Sequence, residues 1–420
     1  MKSPGKSLSC AALVLLVQTF VFTACSPSSQ AGLIQRIDLF SVGYGLSENN
    51  IDLSSQGRDG IDLTMSQGIF HMLDGRSRKI MRLSSYGDLL ALLYDPSISP
   101  VPGIVKPLTA PLPDGAKIKG QASAGRYAVP VSFAQPRKIA VGQDQTIYVA
   151  DKVPQASARI YDPQSASYLD GIVRRFGAMG VEKASIGQEG PGGTPFPVIL
   201  SMDVFREGTF GVFSASESTF LVHHFGKEGN LLSSLRIGRD ALPLPRELSE
   251  NAGKKLDGRE NEAASNSSKI IAHLDGILME AEGETFRIML KLDYYKEYYD
   301  SASLVIARNE YAGSWIFTMD GWTGRVEFSL PITAGGQEAP PPELIGQNSG
   351  LYYLLYQTKS SLGSYSIQLM DEKGKVHHRS RIDLPDGVRE TVTIRVSEEG
   401  QVYALLTLEE KVQVSLWDLR

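Results

Sequence analysis

Cysteine is almost absent from this 420-residue chain, which contains only Cys10 and Cys25. Both lie near the amino terminus, so the rest of the chain carries no thiol. This excludes disulfides, cysteine-based zinc sites and thiol catalysis from the body of the protein. A domain of this size can bury enough apolar surface to fold without such cross-links.

Catalytic motifs are also missing. The sequence has no Gly-x-Ser-x-Gly nucleophile elbow, no His-Glu-x-x-His zinc motif and no phosphate-binding glycine loop. The pairs His223-His224 and His377-His378 lie on predicted strands, where adjacent side chains point to opposite faces, so neither pair is expected to chelate one metal. We therefore expect no catalytic residue, metal ligand or cofactor, and the sequence favours a protein that is not an enzyme.

An excess of positive charge is lacking as well. The chain has 42 Lys and Arg against 47 Asp and Glu, a formal charge of -5, and removing Lys2 and Lys6 with a leader would give -5 - 2 = -7. A mildly acidic body argues against nucleic-acid binding and against electrostatic adhesion to anionic lipid. We therefore expect no nucleic-acid partner.

The amino terminus has the pattern of a bacterial leader peptide. Lys2 and Lys6 precede an apolar run over residues 8–21, which is too short to span a bilayer, and Thr23-Ala24 then places small residues before Cys25. The pattern resembles a lipobox, in which the Cys25 thiolate would take a diacylglycerol group. Phe22 departs from it, because that position usually holds Leu, Val or Ile. An ordinary secretory peptide cleaved nearby and an uncleaved anchor remain alternatives.

This reading divides the chain into a signal peptide (1–24), a lipidated tether (25–30) and one folded domain (31–420). The acyl chains on Cys25, palmitate among them, would anchor the protein to a membrane, because one lipidated cysteine carries enough of them for stable attachment. The expected location is the cell envelope, on the periplasmic or outer side.

A repeated unit organises the folded domain. Five segments each combine an apolar strand, a short polar turn and a strand that opens on an aromatic residue; they are residues 66–70, 144–148, 206–210, 348–352 and 399–403. The longest gap between them has room for a sixth unit over residues 269–332. Second hairpins follow at residues 79–88, 220–230 and 366–374, so each unit would have four antiparallel strands. This predicts an all-β fold, a six-bladed β-propeller, with five or seven blades as alternatives.

The last unit supplies only three strands, over residues 391–396, 402–408 and 412–419. A fourth strand must come from elsewhere. Residues 34–40 resemble the outer strand at residues 381–384, so we expect the amino-terminal strand to complete the last blade and close the ring. A chance likeness, with residues 34–40 pairing elsewhere, is the alternative.

A family resemblance can be added. The second unit, over residues 136–141, 147–151 and 159–161, resembles an NHL repeat, and the whole chain resembles NHL-like β-propeller lipoproteins of spirochaetes. The resemblance implies a six-bladed propeller in the cell envelope, and it assigns no catalytic residue, because NHL repeats mark architecture.

Strand direction predicts where the irregular surface lies. In a four-stranded antiparallel blade the first and third turns share one face, and the second turn shares the other with the link to the next blade. Four long insertions, at residues 96–136, 178–197, 239–268 and 335–343, were assigned to these links. One face would therefore carry most of the loops, where binding residues concentrate.

Two functions follow. The first is a membrane-anchored, non-enzymatic scaffold that binds a protein or another envelope ligand through its loop-rich face. The alternative is a calcium-dependent propeller hydrolase acting on an envelope or nutrient molecule, with carboxylates that could face the central channel: Asp62, Asp144, Asp203, Asp275 and Glu398. The aromatic cluster at residues 294–299 fits either a stacking surface or a blade edge packed on its neighbour.

Overall fold

The computed structural model describes residues 32–53, 60–107, 126–154, 159–163, 165–252, 268–299, 305–333, 339–357 and 364–419. They form six four-stranded antiparallel sheets, with the innermost strand of each sheet next to that of the following one, so that the sheets close a ring. The predicted six-bladed β-propeller is confirmed. The leader, Cys25 and the tether lie outside the described residues.

The blades follow one another along the chain, and within each the strands run from the channel outwards. Blade 1 contains Ile61–Ser66, Ile69–Asp74, Lys79–Leu83 and Leu89–Tyr94. Blade 2 contains Lys138–Val141, Ile147–Lys152, Gly171–Phe176 and Glu182–Gly187. Blade 3 contains Val198–Val204, Phe210–Ala215, Thr219–Phe225 and Leu231–Gly238.

The second half of the ring has the same pattern. Blade 4 contains Ser268–Glu282, Thr285–Tyr299, Ile306–Asp320 and Val326–Ile332, and is the unit that the repeat spacing predicted. Blade 5 contains Glu343–Asn348, Leu351–Gln357, Ser364–Asp371 and Val376–Asp383. Blade 6 contains Glu390–Val396, Val402–Thr407, Lys411–Trp417 and, as its outer strand, Arg36–Gly43.

Short elements extend this framework. Gly32–Leu33 pairs with the outer strand of blade 5, Lys106–Pro107 and Tyr127–Pro130 add to the edge of blade 1, and Gly190–Pro191 pairs with the outer strand of blade 2. The other elements are a hairpin of Ile160–Asp162 and Ser167–Leu169, a 3-10 turn Arg239–Ala241 and a helix Arg246–Ala252. No helix within the described ranges is both long and apolar enough to cross a bilayer.

The amino-terminal strand closes the ring as expected. Arg36–Gly43 pairs antiparallel with Lys411–Trp417, and the Gln413 side-chain amide donates to the Phe40 carbonyl oxygen at 2.8 Å. The strand begins two residues later and ends three residues later than the segment 34–40 that the sequence suggested. Phe40 and Val42 are buried in the core between blades 6 and 1, so closure brings apolar contacts as well as backbone hydrogen bonds.

The core is divided into six apolar clusters, one between each pair of neighbouring blades. The aromatic residues that open the second strands all lie in these clusters and are almost fully buried: Phe70, Tyr148, Phe210, Phe286, Tyr352 and Tyr403. Neighbouring blades bring some of them into contact. Tyr148 and Phe210, for example, have ring centroids 4.7 Å apart. The repeated aromatic is therefore the side chain that packs one blade on the next.

One face of the ring, the turn face, is built from short turns between first and second and between third and fourth strands. Seven of them share one geometry, in which the first N–H donates to the carbonyl oxygen four residues later; they begin at Ser84, Gly142, Gly177, Phe205, Gly226, Asp371 and Ser397. The fourth residue of each turn has a positive φ, and six of these seven residues are glycine. This is a type I turn closed by a left-handed residue.

The opposite face, the connection face, carries the links between blades and the turns between second and third strands. The described parts of residues 96–136, 239–268 and 335–343 lie in these links, as predicted; residues 108–125, 253–267 and 335–338 lie outside the described residues. The assignment of residues 178–197 was only partly right: residues 188–197 lie in the link to blade 3, but residues 178–187 belong to the turn that begins at Gly177 and to the outer strand Glu182–Gly187. That strand is a half-exposed sheet edge rich in polar residues, so it lacks the apolar run that marks buried strands.

Candidate functional site

The central channel encloses a cavity of about 940 Å³. All six innermost strands contribute to its wall, so residues distant in sequence meet there. The volume is in the range of small-molecule pockets. The channel is therefore the first candidate site.

A buried ion pair joins blades 6, 1 and 2 beside the channel. The Arg395 guanidinium donates to both carboxylate oxygens of Asp62, at 3.0 and 3.2 Å, and the Ile139 N–H donates to Asp62 at 3.1 Å. Asp62 is only 2% exposed, whereas Arg395 lines the cavity. Asp62 therefore lies behind Arg395, seen from the channel. Its hydrogen bonds link the innermost strands of blades 6, 1 and 2, and blades 6 and 1 are the first and last blades that meet where the ring closes.

Asp203 lines the channel on the opposite arc, in the innermost strand of blade 3. Burial raises its pKa to about 6, and this effect is only partly opposed by the charge of Arg395 and by a hydrogen bond from the Met279 N–H. Within the described part of the chain Asp203 makes no ion pair. Asp203 is thus a partly buried acidic group on the channel wall that has no ion-pair partner among the described residues.

The other predicted carboxylates do not join these two. Asp144 accepts the Thr146 N–H at 3.0 Å within its own turn, and Asp275 pairs with Lys291 at 2.9 Å. Glu398 lines the turn-face end of the channel and accepts a hydrogen bond from the Gln143 amide at 3.0 Å. In the described ranges no three His, Cys, Asp or Glu side chains are grouped closely enough to hold a metal ion. The arrangement expected for a calcium-dependent hydrolase is not assembled from these five.

The first histidine pair behaves as strand geometry predicts. His223 contacts Phe196 between blades 2 and 3, whereas His224 stacks on Phe286 between blades 3 and 4, with ring centroids 4.3 Å apart. Burial lowers the pKa of each to about 4. Both are therefore neutral packing groups at physiological pH.

The second pair lies on the exposed outer strand of blade 5. His377 bonds the Asp371 carboxylate at 2.7 Å, and His378 contacts the Ser380 hydroxyl. Each ring thus has its own local partner.

Blade 4 extends beyond the ring on the connection face. Its first three strands have 15 residues each, against seven in its fourth strand, which pairs only with Ser314 to Met319. The extra residues form a three-stranded arm of residues 268–276, 291–299 and 306–313. The aromatic cluster 294–299 lies on this arm.

The two faces of the arm differ. Tyr294 is fully buried and its hydroxyl donates to the Pro243 carbonyl oxygen, so one face packs on the link from blade 3. On the other face the buried Lys291 ammonium pairs with Asp293 at 2.7 Å, and Tyr295 and Tyr311 have ring centroids 5.8 Å apart. The packing interpretation of the cluster is confirmed for Tyr294, whereas Tyr295 belongs to a partly exposed aromatic surface and its use as a stacking surface stays a prediction.

A second aromatic feature was missed by the sequence analysis. Tyr161 and Tyr168 are paired across the hairpin between the second and third strands of blade 2, with ring centroids 5.3 Å apart, and are 54% and 64% exposed. The hairpin lies on the connection face. Two tyrosines seven residues apart around a turn were the available signal, but only pairing across the hairpin makes them one surface.

The exposed apolar side chains are distributed unequally. Of the 19 large ones in the described ranges, two lie on the turn face, Tyr86 and Trp322, and seven on the blade strands. The other ten lie on the connection face: Leu46, Ile98, Val101, Ile104, Ile160, Tyr161, Tyr168, Leu244, Val305 and Ile306. Among these ten, Tyr161 and Tyr168 contact each other and form one exposed apolar surface, the kind of feature that marks interaction sites. The connection face is therefore the second candidate site.

The sequence matches no protein-family model and no curated protein. Among solved structures it is similar to the β-propeller domain of the Trilobed protease from Pyrococcus furiosus, at 9% identity and a TM-score of 0.38, over 86% of this chain and 84% of that one. It is also similar to hydrazine synthase of Kuenenia stuttgartiensis (10% identity, TM-score 0.41, 88% and 99% covered) and to a glucose dehydrogenase (10%, 0.38, 92% and 100%). At these values the similarities say nothing about activity, and the propeller assignment rests on the six sheets themselves.

Proposed function

We propose that this chain is a non-enzymatic binding scaffold of the bacterial cell envelope, held at a membrane by lipid on Cys25 and engaging a protein partner through its connection face. The membrane-anchored NHL-like lipoprotein assignment belongs to this proposal. The observation that carries it is the concentration of exposed apolar side chains on the connection face, ten against two on the turn face.

The chemistry of that face supports protein binding. Tyrosine is enriched where proteins bind one another, because its ring offers a large apolar surface and its hydroxyl a hydrogen bond. The Tyr161–Tyr168 pair and the arm of blade 4 present such groups on paired β-strands. Rigid presentation lowers the entropy that is lost on binding.

Membrane attachment rests on the leader. Its charged start, apolar run and small residues before Cys25 are the features that a lipoprotein-processing pathway requires. We expect the wild-type chain to incorporate labelled fatty acid and Cys25→Ser to incorporate none. Lipid labelling of Cys25→Ser at the wild-type level would contradict the anchor.

The binding surface can be tested with matched tyrosine variants. Wild-type protein and the double variant Tyr161→Ala/Tyr168→Ala would be used to capture partners from solubilised envelope membranes, with Tyr86→Ala on the turn face as the control. Each removes exposed tyrosine without emptying the core. We expect the double variant to lose the partner at least tenfold and the control to retain it. Loss of the partner with Tyr86→Ala, but not with the double variant, would place the binding surface on the turn face and contradict the proposal.

A further inference from the structure

The outer edge of blade 5 carries a run of exposed basic side chains. Lys373 and Lys375 lie in the turn before its outer strand, and Arg379 and Arg381 follow on that strand. All four are exposed, and residues 373–381 contain no acidic side chain. The chain as a whole is mildly acidic, so this edge is a local exception to its average charge.

Three acidic residues flank this run, and each already has a partner of its own: Asp371 with His377 at 2.7 Å, Glu372 with Arg287 at 3.9 Å and Asp383 with Arg381 at 3.9 Å. By contrast, Lys373, Lys375 and Arg379 have no carboxylate partner in the described part of the chain. Positive charge therefore remains available at this edge.

Apolar side chains are exposed along the same edge. Leu33, Ile37 and Val376 are 59%, 47% and 43% exposed. Leu33 pairs directly with Arg381, and Ile37 lies on the adjacent outer strand of blade 6. Basic groups beside exposed apolar groups are typical of surfaces that lie on anionic membranes. These side chains define the rim patch: Leu33, Ile37, Lys373, Lys375, Val376, Arg379 and Arg381.

The path of the amino-terminal chain indicates what this patch faces. The Ile34 N–H donates to the Arg381 carbonyl oxygen at 3.0 Å, so the chain is held against the patch from Gly32 onward. Gly32 lies seven residues after Cys25, and seven residues span at most about 25 Å when fully extended. Lipid on Cys25 would therefore keep the rim patch close to the headgroups.

We propose that the rim patch binds anionic lipid headgroups, so that the propeller lies edge-on at the membrane surface beside its anchor. The inference deepens the proposed function, because it rests on attachment of the chain through Cys25. It also agrees with partner binding at the connection face. With the outer edges of blades 5 and 6 against the membrane, both faces of the ring stay open to other proteins.

Vesicle binding separates this contact from the lipid anchor. Residues 26–420 contain all six blades and the closing strand, and they carry no acyl group. Co-sedimentation of this chain would be measured with vesicles of phosphatidylcholine alone and with vesicles that contain about 30% phosphatidylglycerol. We expect binding to the anionic vesicles only, and loss of that binding at about 0.5 M salt, where charges are screened within a few ångströms.

Two double variants of equal net charge test the location. Lys375→Gln/Arg379→Gln removes charge from the rim patch, whereas Lys227→Gln/Arg236→Gln removes two exposed charges on blade 3. We expect the first to weaken binding to anionic vesicles roughly tenfold and the second to leave it unchanged. Equal loss in both variants would show a response to net charge alone and would overturn the proposal.

The absence of cysteine after Cys25 allows a direct measurement of contact. Val376→Cys in the rim patch and Leu232→Cys on the outer strand of blade 3 are matched sites, because the native residues are 43% and 41% exposed. With an environment-sensitive fluorophore on each, we expect anionic vesicles to shift the emission to the blue at position 376 and not at position 232.

Three results would each overturn the proposal: no binding to anionic vesicles, equal binding to phosphatidylcholine alone, or equal shifts at the two labelled positions. Tighter binding of poly-glutamate than of anionic vesicles would assign the patch to an acidic protein and overturn it as well. Vesicle binding by the rim patch together with no lipid labelling of Cys25 would contradict the anchor and keep the patch.

Discussion

The two faces of this propeller are built by different rules. The turn face repeats one five-residue turn seven times, whereas the connection face carries a hairpin, a helix and a three-stranded arm. Repeated local geometry stabilises the sheets, because each turn fixes the register of two strands. The irregular connections carry ten of the nineteen large apolar side chains that are exposed in the described ranges, although other connection residues, such as Val105 and Phe133, are buried in the core. We infer that the fold and the binding surface are separated onto opposite faces.

Among the changes considered, deleting the strand that closes the ring should cause the largest loss of folding stability. Deleting residues 34–43 removes the outer strand of blade 6 and uncovers the partners of Phe40 and Val42. We expect a loss of at least about 4 kcal/mol of stability, from two buried side chains and the strand's hydrogen bonds. Unfolding should also become less cooperative in calorimetry.

Removing residues 26–30 instead is the matched control and should not change the melting temperature. Wild-type melting and solubility after deletion of residues 34–43 would show that the strand does not hold the ring together.

Part of the loss of stability in acid should come from His224, at the turn-face end of blade 3, beside the contributions of the buried His71 and His223. His224 is buried next to the turn at Gly226, and its pKa is lowered to about 4. The unfolded state then binds more protons than the folded state between pH 4 and 6.5, so this contribution to stability is lost as pH falls through that range, by roughly 3 kcal/mol at most.

His224→Phe keeps the stacking on Phe286 and removes the titration, so the fall in melting temperature from pH 7 to pH 4.5 should become shallower. His273→Phe on the exposed side of the arm is the control. Equal pH profiles for wild type and His224→Phe would contradict the proposed origin of the acid sensitivity.

Replacing a glycine in a turn of the turn face should cost more folding stability than replacing a glycine on the connection face. Gly400 has φ +80°, and a Cβ there would lie 2.9 Å from the Tyr353 hydroxyl oxygen. We expect Gly400→Ala to lose about 1–2 kcal/mol in a denaturant titration. Gly103 on the connection face has an ordinary φ, and a Cβ there would meet only the Glu48 carboxylate at 3.9 Å, an ordinary contact, so Gly103→Ala should lose less than about 0.5 kcal/mol. A larger loss at Gly103 would remove the distinction between the faces.

Shortening connections should have the smallest effect on stability and a large one on binding. Removing half of residues 108–125 leaves the strands Lys106–Pro107 and Tyr127–Pro130 and the buried Val105 and Phe133 in place, and halving a loop changes its closure entropy by only about 0.6 kcal/mol. We expect the melting temperature to hold while partner capture falls. Loss of folding together with binding would mean that this connection is part of the scaffold.

The repeated parts of the fold were predictable and the isolated ones were not. The aromatic after each first turn and the missing fourth strand of the last blade indicated six blades and amino-terminal closure, because each repeat reinforced the others. The outer strand Glu182–Gly187 was taken for a loop, since its half-exposed residues alternate without an apolar run. The local pattern of apolar residues does not predict a strand that contributes few buried side chains.

The candidate sites were harder still to predict. Asp62 and Asp203 were both predicted from their positions on strands. Arg395 pairs with Asp62 and not with Asp203, and it lies 333 residues from Asp62 in the chain. Only ring closure brings that pair together. Tyr161 and Tyr168 form one surface only because a hairpin pairs them. Such sites depend on tertiary contacts that no single segment encodes.

Site-specific photo-crosslinking compares the two faces most directly. A photoreactive phenylalanine analogue would replace Tyr161 on the connection face or Tyr86 on the turn face, since both are exposed tyrosines of the same chain. In intact envelopes we expect the analogue at position 161 to crosslink to one discrete partner and the analogue at position 86 to crosslink to none. A partner crosslinked from position 86 and not from position 161 would contradict the assignment of binding to the connection face.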